Sequence, residues 1–359
     1  MRGFVIFDRV RIAQVAPLAE SVPPKLYGGT ERIVAYLTDE LVRQGHKVTL
    51  FASGDSETVA ELHPVVASAL RLQPDVKDVN VFNLLELEAV RERAAEFDVI
   101  HFHTDYLHFP LLRELGLCNA LTTMHGRLDL PGYPQMFARH CDIPVVSISN
   151  DQRRPLPQAN WAGTVLHGLP TNVCRFEPSP RGNYLAFLGR ISPEKRVDRA
   201  IEIARRAGMK LRIAAKIDAA DREYFETHIE ALLAQPHVEY VGEIGERDKC
   251  GFLGQARALL FPIDWPEPFG LVMIEAMSCG TPCIAWRAGS VPEVISEGDN
   301  GIIVDSIDEA VAAVHCAADF NRARVRATFE RRFSVERMTR DYLEIYQRLP
   351  RRRSRRAAA

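Results

Sequence analysis

Short apolar runs alternate with longer amphipathic stretches along almost the whole chain, and the series is interrupted once, by a cluster of prolines and a glycine. This alternation constrains the fold more than any single motif does. A strand buried on both faces reads as a continuous apolar run, and its crossover helix reads as a one-sided apolar stripe. Repeated in turn, the two make βαβ units with parallel sheets, so the fold class is α/β. In the first series the spacing predicts strands at 11–16, 47–52, 98–103, 120–124, 144–149 and 164–166. A helix is expected over 30–44, with Ile33, Val34, Leu37 and Leu41 on one face, Thr30 as its N-cap and Gly45-His46 as its stop.

The interruption lies at 169–183, where Pro170, Pro178, Pro180 and Gly182 fall close together without periodicity, and it reads as an interdomain linker. A second series follows, with strands at 184–188, 210–215, 238–241, 258–261, 282–286 and 301–304. Its helices fall at 198–207, 221–234, 248–255, 271–278 and 307–318. A last amphipathic helix, 335–349, carries Met338, Tyr342, Ile345 and Leu349 on one side. The expected domains are therefore 1–170 and 183–334, each Rossmann-like, followed by the helix 335–349 and a disordered basic tail, 350–359. Two such sheets are expected to face a central cleft, with ligands at the carboxyl ends of the strands.

Composition excludes several classes. At 359 residues, 47% hydrophobic and 26% charged, the chain can bury a sizeable core. A net charge of −2 gives no field for nucleic acid. No apolar run reaches the roughly 18 residues of a membrane helix. The tail is the local exception: Arg351, Arg352, Arg353, Arg355 and Arg356 offer a weak contact with an anionic membrane surface. The seven cysteines are scattered with no Cys-x-x-Cys pair, which reads as reduced thiols in a cytoplasmic protein, at most peripheral to the inner membrane face.

Four features fall where strands should end. In Trp265-Pro266-Glu267-Pro268-Phe269-Gly270-Leu271, a proline- and glycine-rich loop runs into an apolar helical segment that holds Glu275 and stops near Gly280. Glu267 then sits just before a helix start, which favours anions, and Glu275 lies about two turns in. A carboxylate accepts two hydrogen bonds at once, which suits a vicinal diol. Gly189-Arg190-Ile191-Ser192-Pro193-Glu194-Lys195 follows a strand directly, so a guanidinium and an ammonium both leave one βα loop and can reach a diphosphate. Tyr27-Gly28-Gly29-Thr30-Glu31 leads into the first helix without being a G-x-G-x-x-G fingerprint. His125-Gly126 ends an apolar strand. Each also has a plainer reading, as a capped helix, a solvated loop or a structural histidine.

Together the four resemble the retaining glycosyltransferases of family 4. The spacing Glu267-x7-Glu275 around Pro268-Phe269-Gly270-Leu271 carries the resemblance, with Gly189, Arg190 and Lys195 beside it. The stretch from Gly28-Gly29-Thr30-Glu31 to Gly45-His46-Lys47, then Pro292-Glu293-Val294-Ile295 and Gly301, extend it from about Arg11 to Leu349. The resemblance implies a GT-B fold, with the last helix packing back on the first domain. It implies that Arg190 and Lys195 neutralise a donor diphosphate and that Glu275 holds the ribose. It gives Glu267 and the amides of Phe269, Gly270 and Leu271 the donor sugar and a phosphate, His125 the anomeric region, and Gly28 and Gly29 the phosphates.

Thr30, His103 and Arg127 are expected on the acceptor side, with Asp105, Asp129 and Tyr133 in nearby loops. The implied reaction moves a hexose from a UDP- or GDP-sugar to a hydroxyl of a glycan, a lipid-linked acceptor or a small molecule. The sequence has no Asp-x-Asp, and no metal or other cofactor is expected. His101, His103 and His108 form only a weak zinc pattern without a placed carboxylate. A nucleotide-sugar epimerase, a phosphorylase and a non-catalytic binding or scaffold subunit of the same fold remain open at this stage.

Overall fold

The structure is a computed structural model and describes residues 9–25 and 28–350. Tyr27, the short extension before Arg9 and the basic tail from Arg351 onward lie outside the described residues. The chain divides into two compact units. The first takes residues up to Ile148, then Arg153–Leu166 and the carboxyl-terminal part from Val335; the second takes Ser149–Gln152 and His167–Ser334.

The first unit holds a sheet of seven strands: β1 (Arg11–Val15), β2 (Lys47–Ser53), β3 (Glu61–Val66), β4 (Val99–Phe102), β5 (Ala120–Thr123), β6 (Val145–Ser147) and β7 (Trp161–Thr164). They lie in the order β3-β2-β1-β4-β5-β6-β7, and every pairing is parallel. The second unit holds β8 (Tyr184–Arg190), β9 (Lys210–Lys216), β10 (Val238–Gly242), β11 (Ala258–Phe261), β12 (Cys283–Trp286) and β13 (Gly301–Val304), ordered β10-β9-β8-β11-β12-β13 and again all parallel. Strands such as Ala258-Leu259-Leu260-Phe261 are buried on both faces, which is why they read as unbroken apolar runs. In each sheet the order reverses between two neighbouring strands, β1 and β4 in the first, β8 and β11 in the second. Ligands of such sheets sit outside the carboxyl ends of the strands at that reversal.

Each unit has its own core. Phe51, Phe102, Phe109 and Phe137 fill the first; Leu185, Ile201, Ile213, Leu260 and Val314 fill the second. The helix Val335–Arg348 belongs to the first unit, although the chain reaches it from the second. It buries Val335, Met338, Tyr342, Leu343, Ile345 and Tyr346. Gly163 on β7 leaves room for this helix: a Cβ there would lie 3.0 Å from Ile345 Cδ1.

Several expectations are corrected. The first helix spans Gly29–Arg43 and Gly28 is its N-cap, with no side-chain cap bond, so Thr30 lies inside the first turn. The strand expected at 164–166 is Trp161–Thr164, because its residues are only half-buried and carry little apolar signal. The helix expected over 221–234 contains a wider turn at Phe225–Ile229. Edge strand β3 and the helices Val79–Arg93 and Arg322–Arg332 were not foreseen. Pro64 disguises β3 as loop, and Arg322–Arg332 is charged on most of its surface. The cysteines are not all reduced: Cys174 and Cys250 form a disulfide across 76 residues of sequence. No local spacing announces such a pair; the fold lays residue 174 against the helix Glu246–Gly254.

Candidate active site

The site is built at the reversal point of the second sheet. Strand β8 ends in Arg190, and the chain turns through Ser192 into a short turn, Pro193–Lys195. Strand β11 ends at Phe261, and its loop runs through Asp264, Trp265 and Glu267 to the helix Leu271–Ser278. The two loops are strapped together. The Asp264 amide donates to the Glu194 carbonyl at 2.8 Å, and Arg196 donates to Asp264 at 2.8 Å and to Asp198 at 2.8 Å.

Both glutamates of the motif meet a lysine. Lys195 Nζ donates to Glu267 Oε2, and the Trp265 indole N–H donates to the same oxygen at 3.0 Å. The ammonium also sits 5.0 Å from the Trp265 ring centre, a cation–π distance. Glu275, buried on the helix, accepts from Lys249 Nζ at 3.0 Å, and Lys249 lies 3.3 Å from Glu246. Arg190 is held differently, by Glu194 at 2.9 Å, Asp221 at 3.4 Å and Asp218 at 3.5 Å. Burial pushes the Asp218 carboxyl upward, but Lys216 and Arg190 outweigh it and hold it below the usual range. Each cation is half-buried beside acidic groups, an arrangement that accepts an anion only by exchanging partners.

Backbone geometry makes this packing specific. Gly270 has φ +78°, the left-handed region, and a Cβ there would lie 2.8 Å from Met273 Cε. Gly289, which sequence reading missed, has φ +53° and passes so close to the motif loop that a Cβ would lie 2.3 Å from the Glu267 nitrogen. Ser290 adds two bonds, its amide to the Glu267 carbonyl at 2.9 Å and its hydroxyl to the Phe269 carbonyl at 2.8 Å. Phe269 is buried against His167, with ring centres 4.8 Å apart. Glu293, part of the resemblance, accepts from the Asn150 amide at 2.8 Å, the Asn150 side chain at 2.7 Å and the Asp151 amide at 2.8 Å. Lys249 was also missed; a lysine near the start of an ordinary amphipathic helix carries no signal until the fold brings it to Glu275.

The remaining expected residues lie in the first unit. His125 follows β5, and its Nε2 lies 2.8 Å from Nδ1 of His103. His103 is only 2% exposed, and its Nε2 lies 2.8 Å from Gln14 Oε1. It therefore meets His125 from behind rather than presenting a surface. Burial pushes the His125 imidazole down to about 3. His101 is held well below its usual value, chiefly by burial and then by His125. His108 stacks on Phe102 at 3.8 Å and is pushed down to about 3 by burial. Gly28 and Gly29 open the first helix, Thr30 is half-buried there, and Arg127 is exposed and makes two bonds of 2.7 Å to Asp129. Among the described residues no group of three or more His, Cys, Asp or Glu side chains is placed to hold a metal ion. No described helix is long and apolar enough to cross a membrane.

Two parallel α/β sheets with reversal points, and a last helix returned to the first unit, are the GT-B architecture. Sucrose-phosphate synthase from Thermosynechococcus elongatus shares it, with a TM-score of 0.76 at 19% identity over 94% of this chain and 98% of that one. So does the Anabaena HepE protein solved with UDP and glucose, with a TM-score of 0.70 at 16% identity over 95% of this chain and all of the other, 100%. Residues 175–317 match the model of glycosyl transferases group 1, and residues 27–162 match that of glycosyltransferase family 4. The chain is 30% identical over 325 residues to a GDP-mannose-dependent alpha-(1-6)-phosphatidylinositol dimannoside mannosyltransferase of Mycobacterium tuberculosis, covering 79% of this chain and 82% of the relative. It is 25% identical to the alpha-maltose-1-phosphate synthase of Mycolicibacterium smegmatis over 94% of this chain and 99% of the relative. The chain belongs to glycosyltransferase family 4 and is a glycosyltransferase that takes its sugar from a nucleotide-sugar donor.

Proposed function

We propose that this enzyme transfers a hexose from a UDP- or GDP-sugar to a hydroxyl acceptor with retention of anomeric configuration and without a metal. One observation carries the reading: each glutamate of the Glu267-x7-Glu275 motif is paired with a lysine, Lys195 and Lys249, at the reversal point of the second sheet. In this reading the donor diphosphate takes Glu267's place at Lys195, and Arg190 turns from its acidic partners to the same phosphates. The displaced Glu267 and the amides of Phe269, Gly270 and Leu271 hold the donor sugar and a phosphate. Glu275 accepts the two ribose hydroxyls while Lys249 keeps its carboxylate oriented. Gly28 and Gly29 approach the phosphates, His125 contacts the sugar near its anomeric carbon, and Thr30, His103 and Arg127 belong to the acceptor side, His103 through His125.

The chemistry follows from charge. The anomeric C–O bond breaks and its electron pair stays on the leaving phosphate oxygen. The acceptor oxygen bonds to the anomeric carbon from the same face, and its proton passes to that phosphate. Cations preorganised around the leaving group lower the barrier, since charge develops there in the transition state. The acceptor is a glycan, a lipid-linked sugar or a small hydroxylated molecule. A panel of UDP- and GDP-hexoses with simple glycoside acceptors, read by proton NMR of the anomeric signal, tests the reading. Transfer with retained configuration, lost in Lys195→Ala and in Arg190→Ala, is expected. Wild-type turnover in either variant, or an inverted product, overturns it.

A further inference from the structure

A chain of hydrogen bonds runs through the first unit and links His125 to the carboxyl-terminal helix. From His125 it passes to His103 at 2.8 Å, then to Gln14 at 2.8 Å. The Gln14 amide nitrogen donates to the Tyr346 hydroxyl at 3.2 Å, and that hydroxyl lies 2.8 Å from His101 Nδ1. His101 Nε2 lies 2.7 Å from the Thr123 hydroxyl, which lies 3.0 Å from the hydroxyl of Tyr342. Gln14, His101, Thr123 and Tyr342 are fully buried, and His103 and Tyr346 nearly so. An amide in the middle of the apolar strand Arg11–Val15 is costly unless both of its ends are bonded, and here both are.

The amide gives the chain a direction. Gln14 Oε1 can only accept, so His103 Nε2 carries a proton and donates to it. With His103 as a neutral imidazole its Nδ1 accepts, and His125 donates from Nε2. On the other side the Tyr346 oxygen accepts from Gln14 and donates its own proton to His101 Nδ1. His101 then donates from Nε2 to Thr123, and Thr123 donates to Tyr342. Every donor meets an acceptor in one polarity, and Gln14 is the only member whose two ends are chemically different in a fixed way.

We propose that Gln14, His103 and Tyr346 are positioning residues of the transfer reaction, fixing His125 as the neutral imidazole with its proton on Nε2. His125 then carries no proton on Nδ1 and does not act as a proton donor from that side. The carboxyl-terminal helix thereby takes part in the reaction through a hydroxyl as well as through packing. The consequence for turnover rests on the proposed role of His125; the tautomer does not.

The test uses Tyr346→Phe, which keeps the ring and removes the hydroxyl, in full-length protein labelled with 15N-histidine. Long-range proton–nitrogen NMR reads each tautomer without any substrate. The wild type is expected to show His125, His103 and His101 neutral with Nε2 protonated, and Tyr346→Phe to show His125 in a mixture of tautomers. With the best donor from the UDP- and GDP-hexose panel, kcat of Tyr346→Phe falls about tenfold and KM changes less than twofold, the scale of one lost hydrogen bond. Tyr342→Phe, at the far end of the chain, leaves the His125 tautomer and kcat as in the wild type. His125 with its proton on Nδ1 in the wild type overturns the proposal, as does Tyr346→Phe with unchanged tautomers, or Tyr342→Phe with the same loss as Tyr346→Phe. If the tautomers behave as expected but His125→Ala turns over normally, the role of His125 at the sugar fails while the chain stands.

Discussion

The two units bury polar groups at their sheet reversals in opposite ways. In the second, Lys195 meets Glu267 and Lys249 meets Glu275, so charge is balanced by charge. In the first, His125, His103, Gln14, Tyr346 and His101 are joined by hydrogen bonds with no carboxylate or ammonium among them. The difference teaches what each region can answer to. In the proposed function, paired charges can trade partners with an incoming diphosphate, whose attraction to the site is weakened by salt. A neutral buried chain cannot trade charge and is indifferent to salt, but it fixes which nitrogen of an imidazole holds a proton. In the proposed function the first kind of site binds and stabilises an anionic leaving group, and the second orients a neutral contact.

The largest effect is expected where the charge pairing is broken. Lys195→Met strands Glu267 and, in the proposed function, removes a cation from the leaving group, so turnover should fall about 10²- to 10³-fold. Adding Glu267→Gln should restore thermal stability without restoring turnover. Recovery of activity in the double variant would show that Lys195 serves only to neutralise Glu267.

Next comes pH, which acts on the other region. His125 and His108 are pushed down to about 3 by burial, whereas in the unfolded chain they titrate near the ordinary value of about 6.5. The unfolded state therefore binds more protons between these values, and stability is fully present above about pH 6.5 and falls as pH drops toward 3. The loss by pH 4 is on the order of a few kcal/mol, unchanged by 0.5 M salt, which is about half the concentration that shrinks the Debye length to 3 Å. Denaturant unfolding of the wild type and His108→Gln across pH 4–8 measures it; an identical slope in both would remove His108 from the account.

Glu275→Gln is expected to weaken donor binding about tenfold, the scale of a charged hydrogen bond, and to change kcat less than threefold. A change confined to kcat would place Glu275 in the chemical step instead.

The smallest effect concerns Glu86, which follows neither pattern. It is buried on the helix Val79–Arg93, and its Oε1 has no hydrogen-bond partner among the described residues. Burial alone raises its carboxyl well above the usual value. The folded state thus binds the proton more tightly, and the stability this gives is present below about pH 4.3 and lost as pH rises through the raised value. Glu86→Gln should stabilise the protein by about 1 kcal/mol at pH 8 and by nothing at pH 4. Thermal unfolding at the two values measures it.

The comparison also explains what was legible in the sequence. Most strands of both sheets, though not β3 or the bounds of β7, could be read because buried parallel strands are apolar throughout, and Arg190, Lys195, Glu267 and Glu275 stood out because charge at such strand ends is unusual. Their partners were not readable. Lys249 lies 26 residues before Glu275, and Gln14 lies 332 residues before Tyr346, so only the fold creates those pairs. Gly289 acts through a close backbone approach that leaves no mark beyond one glycine among 22. Helix Arg322–Arg332 was hidden because its arginines read as solvated, whereas the fold buries Arg322, which donates to the distant carbonyls of Glu177 at 2.7 Å, Gly254 at 2.8 Å and Ala256 at 3.1 Å.

The central claim is that the lysine-paired glutamates form the site of a nucleotide-sugar's diphosphate. Calorimetric titration of UDP, GDP and ADP into the wild type, Lys195→Met and Tyr346→Phe tests it most directly. The account predicts that one diphosphate binds the wild type with an affinity that falls with salt, binds Tyr346→Phe equally well, and binds Lys195→Met at least tenfold more weakly. Equal affinity for wild type and Lys195→Met in correctly folded protein would contradict it.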